Sequence, residues 1–87
     1  MYVILTYDVN AKRVSKVMKI CRKYLIHAQN SVFEGMLTQS QLQQLKAEIE
    51  KRVHPEEYSI NIYVLQSTRY VYREKLGRIT EHNFIIE

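Results

Sequence analysis

Cysteine, glycine, proline and histidine are all scarce in this chain, and each shortage removes a class of function. A single cysteine, Cys21, cannot close an intrachain disulfide, which points to a reducing, cytoplasmic setting. Two glycines, Gly35 and Gly77, leave no phosphate-cradling glycine loop. One proline, Pro55, and no low-complexity segment leave no linker between domains. His27, His54 and His82 lie far apart with no ligand-like spacing, which argues against a zinc site and against a histidine acid–base pair. Ser31 lacks the surroundings of a nucleophile elbow, so a hydrolase triad has no support. No apolar run is long enough for a membrane span, and the first apolar run lacks a basic leader. Acid is scarce as well: Asp8 is the only acidic residue before Glu34.

What remains is a small basic chain. Its 87 residues are expected to form one domain, 1–87. A domain of this size buries a modest share of its surface, so oligomerisation would add stability. The net charge is +4 and the pI about 9.3, which favours a polyanionic partner. The charge is also concentrated. Lys12, Arg13, Lys16, Lys19, Arg22 and Lys23 supply six of the thirteen basic residues.

Residues 2–8 alternate as a strand, with Val3, Leu5 and Tyr7 on one face and Tyr2, Ile4, Thr6 and Asp8 on the other. Asn10 is placed to cap a helix over 11–25, whose core stripe is Val14, Val17, Met18, Cys21 and Leu25. Lys12, Lys16, Lys19 and Lys23 then fall within an arc of roughly 60° on the opposite side. A row of this kind serves equally as a solvated helix face. Residues 28–37 read as extended, as one kinked strand or two short ones, with Gly35 as the break. Thr38 and Gln41 form a capping-box pattern. It opens a second helix with the stripe Leu42, Leu45, Ile49 and Val53, supported by Glu48 and Arg52 at i,i+4 and ended by His54-Pro55. Ser59–Leu65 is a strand with Ile60, Ile62 and Val64 on one face. A further strand begins at Tyr70-Val71-Tyr72 and ends near Gly77. The apolar tail Phe84-Ile85-Ile86 is expected to pair with a sheet edge of this chain or of a neighbour. This order predicts an α+β, two-layer sandwich with both helices on one face of a four- to five-stranded sheet. The second sheet face is also apolar, which calls for a homodimer.

Asp8 is the natural starting point for chemistry. Hard cations such as Mg²⁺ prefer carboxylate, carbonyl and water oxygens, and such an ion makes water a better nucleophile towards phosphorus. One carboxylate holds Mg²⁺ weakly, so two Asp8 side chains facing each other across a twofold axis would share the ion. A strand-end carboxylate near a helix N-terminus is also favoured by electrostatics alone. The seven tyrosines and two phenylalanines offer stacking surfaces for bases, although alternation sends Tyr7 towards the core. The basic-glycine-aromatic signature of RNA-recognition domains is absent.

The segment Gln29-Asn30-Ser31-Val32-Phe33-Glu34-Gly35, together with Tyr7-Asp8, His54-Pro55 and Ile60-Asn61-Ile62-Tyr63, resembles the small CRISPR-associated spacer-acquisition proteins, the Cas-two family. The resemblance runs over essentially the whole chain. It implies a ferredoxin-like domain forming a homodimer, with the terminal strand pairing across the two subunits. It implies a divalent metal, usually Mg²⁺, at Asp8, and metal-dependent cleavage of single-stranded RNA or double-stranded DNA. Members also bridge dimers of the partner integrase, Cas-one, so that spacer DNA is captured. By the same resemblance Tyr7, Arg13, Ser31 and Phe33 match positions near the active site. Lys12, Arg13, Lys16, Lys19 and Lys23 would hold nucleic acid. His27 stands near the place where the family often has an arginine. A DNA-bridging scaffold without catalysis is the alternative, and a dimeric small-molecule-binding regulatory module a more distant one.

Overall fold

The computed structural model describes residues 1–67, 74 and 76. The expected strand at Tyr70–Tyr72, its end at Gly77 and the tail Phe84–Ile86 lie outside the described residues.

Strand β1 spans Tyr2–Val9. Helix α1 covers Val14–Cys21, and β2 (Ile26–Gln29) and β3 (Val32–Met36) form a hairpin. Helix α2 covers Gln39–Arg52, a 3₁₀ turn follows at Pro55–Glu57, and β4 spans Tyr58–Leu65. The strands pair antiparallel in the order β2-β3-β1-β4, the split arrangement of a ferredoxin-like sandwich. The expected fold class is what forms.

The helix-facing side of the sheet carries Val3 and Leu5 from β1 and Phe33 from β3, all with no exposed surface. The register sets Leu5 between Phe33 and Ile62. Val17, Ile20, Cys21 and Leu25 close over them from α1 and the turn after it. Leu42, Leu45, Ile49 and Val53 do the same from α2 and its end. Ile20, absent from the expected stripe, is a core residue, whereas Val14 and Met18 are only half-buried. The opposite face is left apolar: Ile26 is 73% exposed, Met36 60% and Tyr63 55%. Val64 shares the strand face of Ile60 and Ile62, yet it is exposed.

Two elements differ from the sequence reading in ways that matter for the site. Helix α1 is eight residues long rather than fifteen. Asn10 does not cap it. Its Oδ1 accepts from the Lys12 backbone N–H at 2.9 Å and its carbonyl from that of Arg13 at 2.8 Å, so residues 10–13 form a turn of their own. Asparagine favours such local bonds over helix. The break in the 28–37 segment falls at Asn30-Ser31, where Ser31 has φ 65°, and not at Gly35. Gly35 instead permits close packing, because a Cβ there would meet Leu25 Cδ2 at 3.3 Å.

The capping box at the start of α2 is complete. Thr38 Oγ1 accepts from the Gln41 N–H at 3.1 Å, and the Gln41 side chain accepts from the Thr38 N–H at 2.9 Å. Replacing Thr38 by alanine is expected to cost about 1 kcal/mol, which calorimetry reads as a melting temperature lowered by about 4–8 °C. A drop below about 1 °C would mean that the cap contributes nothing.

Candidate functional site

Strand alternation decides where the candidate residues go. Asp8, paired in register with Ser59 of β4, lies on the sheet face opposite the helices and is exposed. Tyr7, one residue earlier, turns towards the helices. It packs against the core, with its ring 5.9 Å from that of Phe33.

Asp8 borders an open depression of about 400 Å³, shared with Asn10, Glu56, Glu57 and Ser59. One wall is stitched together by the turn at 10–13. The Asn10 N–H donates to the Glu57 carbonyl at 2.9 Å, and Arg13 Nε donates to Glu57 Oε1 at 3.2 Å. Arg13 is therefore next to the depression, with part of its charge offset by Glu57. Among the described residues no group of three His, Cys, Asp or Glu side chains is placed to hold a metal. Mg²⁺ keeps several waters and takes one or two carboxylates, so Asp8 suits a largely hydrated ion, and a second copy would double the carboxylates. Such an ion supplies Lewis acidity towards water and phosphate oxygens.

Tyr7, Phe33 and His27 gather elsewhere, on the helix-facing side of β1, β3 and β2, with Ser31 in the turn between β2 and β3. The Tyr7 N–H donates to the Ser31 carbonyl at 3.1 Å, and His27 stacks on Phe33 with ring centroids 4.7 Å apart. Burial pushes the Tyr7 phenol up, and Cys21 adds to this, while the Ser31 backbone and Arg22 pull the other way. Phe33 has no exposed surface, so it supports this cluster by packing rather than by touching a bound chain. The expected site residues thus divide into two groups separated by the sheet.

The basic residues form a third feature. The short α1 leaves Lys12 in the preceding turn and Lys23 in the following one, so the expected four-lysine face is not one helical row. Lys16, Lys19 and Lys23 instead line a groove of about 260 Å³ between the helices, with Arg52 and Glu48 of α2. Glu48 accepts from Lys23 Nζ and from the Tyr24 hydroxyl at 2.6 Å. These bonds hold its carboxyl below the usual range, Lys23 first and Tyr24 second, and the Glu48 bond raises the Tyr24 phenol. Glu48 makes its hydrogen bonds across the helix pair, to Lys23 and Tyr24, while the i,i+4 neighbour Arg52 acts on it through charge alone and also lowers its carboxyl. Glu48, Arg52 and Tyr24 were not singled out as site residues from the sequence. The available signal was position: Glu48 and Arg52 each follow a core residue, Leu45 and Ile49, by three, and so border the face that meets α1.

Cys21 is fully buried, and burial pushes its thiol up to about 12. It is expected to react with iodoacetamide near neutral pH at least about 100-fold more slowly in the folded protein than in urea, since only the thiolate attacks. Comparable rates would place the thiol at the surface. Because folding raises this pKa from an ordinary value of 9.0, the neutral thiol's contribution to stability is complete below that pH. It declines as pH rises towards 12.

Residues 1–73 match the family model described as CRISPR associated protein Cas2. The chain is 47% identical over 77 residues to the CRISPR-associated endoribonuclease Cas2 of Dictyoglomus turgidum, covering 88% of each chain. Identity and coverage are the same for the CRISPR-associated endoribonuclease Cas2 of Thermotoga maritima. Among solved structures, Streptococcus pyogenes Cas2 superposes with a TM-score of 0.74 at 34% identity, over 88% of this chain and all of that one. With the ferredoxin-like sheet order and the helix pair in place, this similarity over nearly the whole chain makes the protein a member of the CRISPR-associated Cas2 family.

Proposed function

We propose that the protein is a Mg²⁺-dependent endonuclease of CRISPR adaptive immunity, working as a cytoplasmic homodimer that holds spacer DNA and bridges the partner integrase. The observation that carries this reading is Asp8, an exposed carboxylate at the tip of β1, on a sheet face where, among the described residues, Ile26, Met36 and Tyr63 are exposed. A second copy packed on that face buries Ile26, Met36 and Tyr63 and brings a second Asp8 towards the first. The relatives from Dictyoglomus turgidum and Thermotoga maritima carry the name endoribonuclease, which supports phosphodiester hydrolysis, with single-stranded RNA and duplex DNA as the substrates to compare. In this reading Asp8 holds the ion, Arg13 beside it steadies a phosphate, and Tyr7 and Ser31 fix the end of β1 against the hairpin turn. Lys16, Lys19 and Lys23 hold the nucleic-acid backbone without reading sequence.

The separation of Asp8 from the lysine groove favours a second reading, a scaffold that binds duplex without cutting it. Purified protein incubated with labelled RNA and duplex DNA, in Mg²⁺ and in EDTA, distinguishes the two. Cleavage confined to the Mg²⁺ samples and co-eluting with the dimer supports the nuclease; binding without cleavage supports the scaffold. In either case affinity falls as salt rises. Changing Lys16 and Lys19 together to glutamine is expected to reduce the slope of log K against log salt by about 2. An unaltered slope would move the binding surface elsewhere.

A further inference from the structure

The groove between α1 and α2 contains one carboxylate among four cations. Lys16, Lys19, Lys23 and Arg52 line it together with Glu48, and Glu48 is bound there by Lys23 and by the Tyr24 hydroxyl. The backbone that carries the two donors is hydrogen-bonded into the turn after α1. The Lys23 N–H donates to the Ile20 carbonyl and the Tyr24 N–H to that of Cys21, each at 3.0 Å, so the turn after α1 aims both side chains at α2. A lysine ammonium and a tyrosine hydroxyl converging on one anionic oxygen also suit a phosphodiester, whose oxygens accept the same charge-assisted bonds. Glu48 thus occupies the position that a nucleic-acid backbone following Lys16 and Lys19 would take at the end of α1.

We infer that Glu48 is an internal competitor for phosphate in this groove, and that a bound nucleic-acid backbone displaces it from Lys23 and Tyr24. The inference rests on the lysine groove being the nucleic-acid surface, and it adds Glu48, Tyr24 and Arg52 to that surface. In the free protein the carboxylate neutralises one cation and keeps Lys23 within the groove. Binding exchanges one anionic partner of Lys23 for another, so Lys23 adds little to net affinity while Glu48 is present. Removing the carboxylate converts Lys23 into a full phosphate contact.

The test is fluorescence anisotropy of a labelled random-sequence duplex with the full-length protein over a range of KCl concentrations. Glu48→Gln is expected to tighten binding at about 0.1 M salt by about 3–10-fold and to steepen the log–log salt slope by about one. Glu48→Ala is expected to act in the same direction, and unchanged melting temperatures check the fold. Lys23→Gln alone is expected to change affinity by less than about twofold, yet to abolish the gain when combined with Glu48→Gln, a coupling that a purely structural role would not give. Arg52→Gln should weaken binding and flatten the slope by about one. Inorganic phosphate, added at constant ionic strength, should compete poorly, because a single anion spans only part of the groove; complete displacement at millimolar phosphate would assign the groove to a free anion and overturn the backbone assignment. If Glu48→Gln leaves affinity and slope unchanged while the Lys16 and Lys19 changes weaken binding, Glu48 is no competitor and the nucleic-acid reading stands. If none of these changes matters, the groove is not the binding surface and both readings fail.

Discussion

Asp8→Ala is expected to lower Mg²⁺-dependent cleavage by at least about 100-fold, the scale of losing one preorganised electrostatic contact to a transition state. The side chain takes no part in the core and is exposed, so the folded state should lose less than about 0.5 kcal/mol. Duplex binding through the helix groove should stay within about twofold, because Asp8 lies on the other side of the sheet. Asp8→Asn is the more discriminating variant. It preserves shape and one oxygen but removes the charge that a hard cation needs, and its activity should fall as far as that of the alanine variant. Raising Mg²⁺ should restore part of the activity of Asp8→Glu, where a carboxylate survives at a longer reach, and none of that of Asp8→Ala. Undiminished cleavage by Asp8→Ala would trace the activity to a contaminant or to another site. No cleavage by either the parent protein or the variant would leave the scaffold reading.

Phe33→Ala is expected to destabilise the fold by about 3–5 kcal/mol, a large part of the total for a domain of this size. Phe33 is wholly buried, pairs with Leu5 on one side and His27 on the other, and contacts the rings of Tyr7 and His27. Truncation leaves a cavity in the middle of the sheet, and the strands on either side cannot close over it. In urea the midpoint should fall by about 1–3 M with the slope unchanged, at fixed protein concentration because association adds to apparent stability. Phe33→Leu fills most of the volume and should cost under about 2 kcal/mol. A loss below about 1 kcal/mol for the alanine variant would show that Phe33 is not in the core, and would reopen a direct role for it at a bound chain.

Local signals gave the most reliable readings. Thr38 and Gln41 form their box because both bonds lie within one turn, and His54-Pro55 ends α2 because proline restricts the residue before it. The stripe Leu42, Leu45, Ile49 and Val53 is buried throughout, as its spacing predicts. Helix α1 is shorter than its periodicity predicts. Its apolar and basic positions continue at helical spacing through 11–25, but Asn10 bonds its own neighbours and the chain must turn after Cys21 to enter β2. Competing local hydrogen bonds and the direction of the next strand are invisible to periodicity. The break in the 28–37 segment lies at Asn30-Ser31 rather than at Gly35 for a related reason. Gly35 attracts attention as the residue with the freest backbone, yet Ser31 adopts the left-handed conformation and Gly35 serves packing.

The two-layer class, the helix-facing side of β1, the buried stripe of α2, the buried Cys21 and the family were legible along the chain, because each follows from spacing or from an ordered motif. The exposure of Asp8, its placement in the layer opposite the lysines, the pairing of Arg13 with Glu57 and the entry of Glu48 into the basic groove from α2 emerge when the chain packs. Those facts depend on which residues distant in sequence meet, and antiparallel pairing and helix packing set that in three dimensions.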